Sequence, residues 1–181
     1  MNNSETWHWV KLLTLALIMA FAVRHFLFTP IIVDGQSMLP TLDHEDRMLV
    51  NKFGYQMFEP ERFDIIVFHA EKDKDYIKRV IGLPGDELKY INDTLYINGE
   101  SYEEDYLDNF KETASILPFT KDFELSDVSE FEKIPENHLF VMGDNRQFSK
   151  DSRHIDVVSY EEIVGEANVV FWPFQGARLV E

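Results

Sequence analysis

The sequence contains no cysteine, which excludes disulfides, iron–sulfur clusters, thiol catalysis and cysteine-type zinc sites. The compartment stays open, because a thiol-free chain is stable in oxidising and reducing surroundings alike. Cations are also scarce: 17 Lys+Arg stand against 33 Asp+Glu, a formal net charge of −16. Binding a nucleic-acid backbone needs clustered Lys and Arg to displace counterions, so no nucleic-acid partner is expected. The six histidines (His8, His25, His44, His69, His138 and His154) lack any metal-ligand spacing such as H-E-x-x-H, and no metal or other cofactor is expected. Most of the acid surplus is local, since residues 100–136 hold 12 acids and 3 lysines, a net of −9.

What remains is a chain suited to one domain: 181 residues, 45% hydrophobic, with 15 Phe, 7 Tyr and 3 Trp to fill a core. One long apolar run stands out. Leu12 to Val23 is apolar and uncharged, and tolerating Lys11, Arg24 and His25 extends it from Val10 to Phe28, 19 residues. As a helix those residues span about 28 Å, close to a bilayer's hydrocarbon thickness. Lys11 and Arg24 would snorkel to the interfaces, where Trp7 and Trp9 suit an aromatic belt. The expected organisation is a short tail over 1–9, a transmembrane anchor over 10–28 and a domain over 29–181 with an acidic insertion at about 100–136. A cleavable signal peptide, with Ala20-Phe21-Ala22 as its small-x-small cut, and a buried core helix are the alternatives. The near-tied flanking charges leave orientation open.

After Pro30 the pattern becomes short runs rich in Val, Ile, Phe and Tyr: 47–50, 64–68, 76–81, 87–91, 95–97, 138–142 and 163–171. Turn signals at Pro84-Gly85, Asn92-Asp93 and Asn98-Gly99 separate several of them, which predicts a mostly-β domain. Residues 100–136 read as an irregular insertion or lid pegged by Phe110, Phe119, Phe123 and Phe131.

Three segments carry candidate chemistry. Val33-Asp34-Gly35-Gln36-Ser37-Met38-Leu39-Pro40-Thr41-Leu42 describes a tight bend that exposes a hydroxyl. Tyr76-Ile77-Lys78-Arg79-Val80-Ile81 is a strand whose alternation puts Lys78 between Tyr76 and Val80 on one face. Such neighbours desolvate an ammonium and lower its pKa, making it a base for a serine; a strand-edge lysine reaching water is the plain alternative. Gly143-Asp144-Asn145-Arg146-Gln147-Phe148-Ser149-Lys150-Asp151-Ser152-Arg153 is dense in donors and acceptors, able to scaffold a site or simply to form a solvated turn.

Together, in this order and spacing, SMLPTL, YIKRVIGLPGD and GDNRQFSKDSR closely resemble the bacterial type I signal peptidases, in the short form of the Gram-positive branch. The resemblance covers Ile31 to about Val158. It implies a signal-peptidase-like domain of packed antiparallel sheets behind one N-terminal transmembrane helix. It implies that Ser37 is the nucleophile and Lys78 the general base. Ser149 would orient the lysine, Asp151 and Arg153 form a supporting ion pair, and Gly143, Asp144, Asn145 and Arg146 carry the presenting loop. Gly35 stands where some members place a second oxyanion hydroxyl, so the Ser37 N–H would serve there with other backbone donors or water. Substrates would be signal peptides of exported preproteins, cut after small-x-small (Ala-x-Ala) sites. Ile31, Val33, Met38 and Leu42 would wall the pockets on one side and Tyr76 and Ile77 on the other. The implied setting is the cell membrane, with the catalytic domain extracytoplasmic and the bilayer and translocation machinery as partners. Nine extended residues reach only about 30 Å, so Ser37, nine beyond Phe28, would work close to the lipid surface. A catalytically inactive relative that binds signal peptides or a translocation partner, and a self-cleaving Ser/Lys regulator, are the alternatives.

Overall fold

The computed structural model describes residues 3–180 apart from 54, 56–58, 72, 73 and 114–116. Helix α1 (Asn3–Phe26) leads into β1 (Phe28–Ile32), so regular structure begins inside the expected tail and the last predicted anchor residue opens a strand. Among the described residues no helix is long and apolar enough to cross a membrane. The predicted transmembrane span over 10–28 is therefore not confirmed by the described residues of α1. The side chains of residue 20 and of residues 22–26, which include Arg24 and the alternative cleavage site, lie outside the described ones.

All seven predicted strands form. They are β2 (Arg47–Asn51), β3 (Ile65–Glu71), β4 (Lys74–Gly82), β5 (Leu88–Ile91), β6 (Thr94–Ile97), β9 (His138–Met142) and β11 (Ile163–Trp172). The patterns missed β1 and the short β7 (Glu100–Tyr102), β8 (Phe123–Glu124), β10 (Val158–Ser159) and β12 (Arg178–Leu179), which are too brief to show alternation. Also unforeseen were the one- to two-turn helices α2 (Asp108–Thr113), α3 (Leu125–Val128) and α4 (Ser152–Ile155). The turn chemistry is as read: Asn92 and Asn98 sit at positive φ, and Asn98-Gly99 turns β6 into β7 as a two-residue hairpin.

An eight-stranded antiparallel sheet runs β1-β2-β11-β3-β4-β9-β10, with β12 beside β11; a four-stranded sheet runs β7-β6-β5-β8. Alternation along β3 sends Ile65 and Val67 to one core and Ile66 and Phe68 to another, so the large sheet is covered on both faces. A third core, built on Ile81, Tyr90, Phe140 and Met142, joins the two sheets. The acidic insertion is folded, not an irregular flap: it supplies β7, β8 and α3. Phe123 stacks between Tyr90 and Phe140, and Phe119 is buried.

Two features of this topology build the site. The β1–β2 connection, residues 33–46, folds across the large sheet because Val33, Met38 and Leu42 bury against Ile65 and Val67. Meanwhile β4 pairs β9 with Arg79 opposite Met142, so the loop that follows Met142 starts beside Lys78 and Arg79.

Candidate active site

Ser37 lies in a run of turns anchored by the buried Met38 and Leu42, with the Leu42 N–H donating to the Met38 carbonyl at 2.9 Å. This bend brings the Ser37 Oγ to 2.8 Å from Lys78 Nζ, across 41 residues of sequence. Nζ also donates to the Ile77 carbonyl at 2.8 Å, and the Tyr76 ring centroid lies 5.3 Å away. Lys78 is only 3% exposed. Burial pushes its ammonium down to about 8, against the opposing pull of Asp151 and Asp144. A lysine in that range is partly neutral near physiological pH, and its lone pair lies within reach of a serine proton.

The loop after β9 holds both partners in place. The Asn145 N–H donates to the Ser37 carbonyl and its side-chain amide to the Gln36 carbonyl, both at 3.0 Å. Gly143 approaches so closely that a Cβ there would collide with the Ser37 carbonyl and with Ser149. Its N–H donates to Asp151, which Arg153 grips with two hydrogen bonds of 2.8 and 2.7 Å. Burial raises the Asp151 carboxyl, but Arg153, the Gly143 N–H and Ser149 together hold it below the ordinary range. The Ser149 hydroxyl is buried beside that carboxylate and makes no well-formed hydrogen bond of its own.

Two buried arginines brace the loop. Arg79, fully buried, donates to Asp144 at 2.9 and 2.8 Å, and Asp144 also accepts from Thr41 four residues past Ser37. Arg146 donates to the Gly143 carbonyl at 3.1 Å and also reaches Tyr90 on the small sheet and Glu104, Tyr106 and Thr120 of the acidic insertion. Burial opposes ionisation of Glu104, but Arg146 and the two tyrosine hydroxyls hold its pKa low. Arg178 closes the other side by donating to the Thr41 carbonyl and to Asp46.

Beside Ser37 and Lys78 is a cleft of about 430 Å³ whose walls include Ile31, Val33, Met38, Tyr76 and Ile77. Leu42 does not line it. As a fully buried member of the core beneath, that residue supports Met38 instead. Ile32, Asp34, Val67, Asp75 and Lys150 were not expected there. Gly35 is at φ 104°, and a Cβ there would meet nothing within 4 Å. The sequence reading also missed Thr41, Arg79, Glu104 and Arg178. Arg79 left a trace, being a charge among Val and Ile on a central strand; Glu104 left none among its acidic neighbours.

The signal peptidase model of peptidase S26 matches residues 6–172, which takes in all three segments of this site. The chain belongs to the signal peptidase family. It is 43% identical over 174 residues to Signal peptidase I of Bacillus caldolyticus, covering 96% of this chain and 93% of that one. It is 40% identical over 177 residues to Signal peptidase IB of Staphylococcus aureus, covering 95% and 92%. Among solved structures, a signal peptidase I from Enterococcus faecalis V583 shares 42% identity and a TM-score of 0.57, covering 60% of this chain and 97% of that one. These relatives come from the Gram-positive side, as the short form implies, and the chain is a hydrolase of the signal peptidase I type.

Proposed function

We propose that this enzyme removes N-terminal signal peptides from exported preproteins by Ser/Lys dyad catalysis, cutting after small-x-small sites such as Ala-x-Ala. The observation that carries the reading is the 2.8 Å contact between Ser37 Oγ and a buried Lys78 whose pKa is lowered to about 8. Neutral Lys78 takes the Ser37 proton as Oγ attacks the scissile carbonyl, and the developing oxyanion is met by backbone N–H groups, that of Ser37 included. The new ammonium returns its proton to the leaving amine, which departs with the mature chain. Lys78, neutral again, then deprotonates the water that attacks the acyl-enzyme and passes that proton to Ser37 Oγ as the Oγ–acyl bond breaks and the signal peptide leaves with its new carboxyl group. Ser149, Asp151 and Arg153 keep the lysine's surroundings fixed, while Gly143, Asp144, Asn145 and Arg146 hold the loop against the nucleophile.

Substrate enters the cleft as an added strand between Ile31–Val33 and Tyr76–Ile77, with shallow apolar walls favouring alanine-sized side chains. In this reading α1 anchors the chain in the cell membrane as a single pass, with the catalytic domain extracytoplasmic and close to lipid and the translocation machinery. Its support is that Trp7, Trp9, Leu13, Leu17, Ile18, Met19 and Phe21 are all strongly exposed, an apolar surface that calls for a lipid partner.

The test is processing, in detergent or liposomes, of a preprotein ending its signal in Ala-x-Ala by the wild type and by the Ser37→Ala and Lys78→Ala variants. The wild type is expected to cut once, directly after the second alanine, and each variant to lose activity. Retained cleavage by either variant, or a cut elsewhere, would falsify the dyad or its specificity.

A further inference from the structure

We infer that a second groove, which shares Lys150 with the substrate cleft, binds the stretch of preprotein that follows the cut. We infer also that it selects an apolar side chain there. The inference rests on the proposed peptidase activity and deepens it. The groove is about 780 Å³ and is lined by Phe119, Phe123, Phe148, Ser149 and Lys150, among others. Lys150 also borders the first cleft, so the two cavities share a wall residue and flank the same segment. A peptide whose residues before the cut fill the first cleft must carry its later residues across the dyad. At about 3.3 Å per extended residue, a few residues suffice to pass this segment into the next cavity.

The lining states what that stretch should contain. Phe119 is buried and Phe123 half-buried, giving the groove an aromatic floor. Phe148 is 71% exposed, although Asn145, Arg146 and Ser149 on the same loop are buried and fixed. A locked loop that leaves one large aromatic in water offers a preorganised apolar contact at little entropic cost. Lys121 and Lys150 outnumber Asp122 along the lining, where Arg153 is paired with Asp151, in a chain of net charge −16. The occupant is therefore an extended, apolar segment without basic residues, and specificity is read on both sides of the scissile bond.

The experiment uses the full chain in detergent and peptides with one Ala-x-Ala signal end. One peptide carries only glycine and serine after the cut; the others place a single leucine at each of the first five downstream positions. The best leucine peptide is expected to exceed the glycine/serine peptide about tenfold in kcat/KM. That ratio should fall towards one in Phe148→Ser and persist in Leu179→Ser, a control at an exposed leucine on β12. Equal kcat/KM for all peptides in the wild type, or a ratio unchanged in Phe148→Ser, would overturn the inference while leaving the peptidase reading intact. Failure of the wild type to cut any of them overturns both.

Discussion

Lys78 is a cation placed where a cation is costly. Burial lowers its pKa to about 8, so between about 8 and the 10.5 of a solvated lysine the unfolded chain binds more protons than the folded one. Stability therefore rises with pH across that window, and below pH 8 the penalty is present in full. Lys78→Met is expected to abolish turnover and to stabilise the protein at pH 7 by on the order of 2–3 kcal/mol, read from thermal or denaturant unfolding. An unchanged or lowered stability would mean that the ammonium is not strained. Gly143 is the second residue-scale test. A methyl group there would displace the Ser37 carbonyl or Ser149, so Gly143→Ala should cut kcat by on the order of 10²-fold while KM moves little. That Ser37 and Lys78 meet was legible because three motifs occur together in one order. The glycine's necessity was not, since it depends on how closely two distant segments pack.

The critical element is the loop from Gly143 to Arg153, held from below by Arg79 and from the insertion by Glu104. Glu104→Gln leaves the Arg146 charge buried without its counter-ion, and breaking such a pair costs about 3 kcal/mol or more. The expected result is a lower Tm together with a lower kcat, because Arg146 also holds the Gly143 carbonyl. The double variant Glu104→Leu, Arg146→Met should recover much of the stability but little of the activity. Equal recovery of both would show that the pair serves the fold alone. Acid acts on the same element: Glu104 and Asp151 are held low, so the stability they contribute is present above the ordinary carboxylate range. It is lost as pH falls through their folded values. The long strands were legible from alternation and turn residues. The insertion was misread because β7, β8 and α3 are short and charged, and their order draws on one aromatic, Phe123, stacked between Tyr90 and Phe140.

At the scale of the molecule, most of the acid surplus lies in one insertion, and Glu104 shows that this insertion is joined to the site and not merely a solvated face. The N-terminal helix presents the opposite character, with exposed Trp, Leu, Ile and Met side chains along its described length. Removing residues 1–26 should abolish cosedimentation with liposomes while leaving cleavage of a soluble Ala-x-Ala peptide measurable; retained cosedimentation would move the lipid contact elsewhere. Whether α1 crosses a bilayer was the least legible feature, because length and apolar content set only whether crossing is feasible. The central claim, that Lys78 is the base for Ser37, is tested most directly by the pH dependence of kcat/KM for the full chain in liposomes. Activity is expected to rise with pH and level off above a midpoint near 8, where the buried ammonium loses its proton. A midpoint near 6.5, the range of an ordinary histidine, or a profile flat from pH 6 to 10, would contradict it.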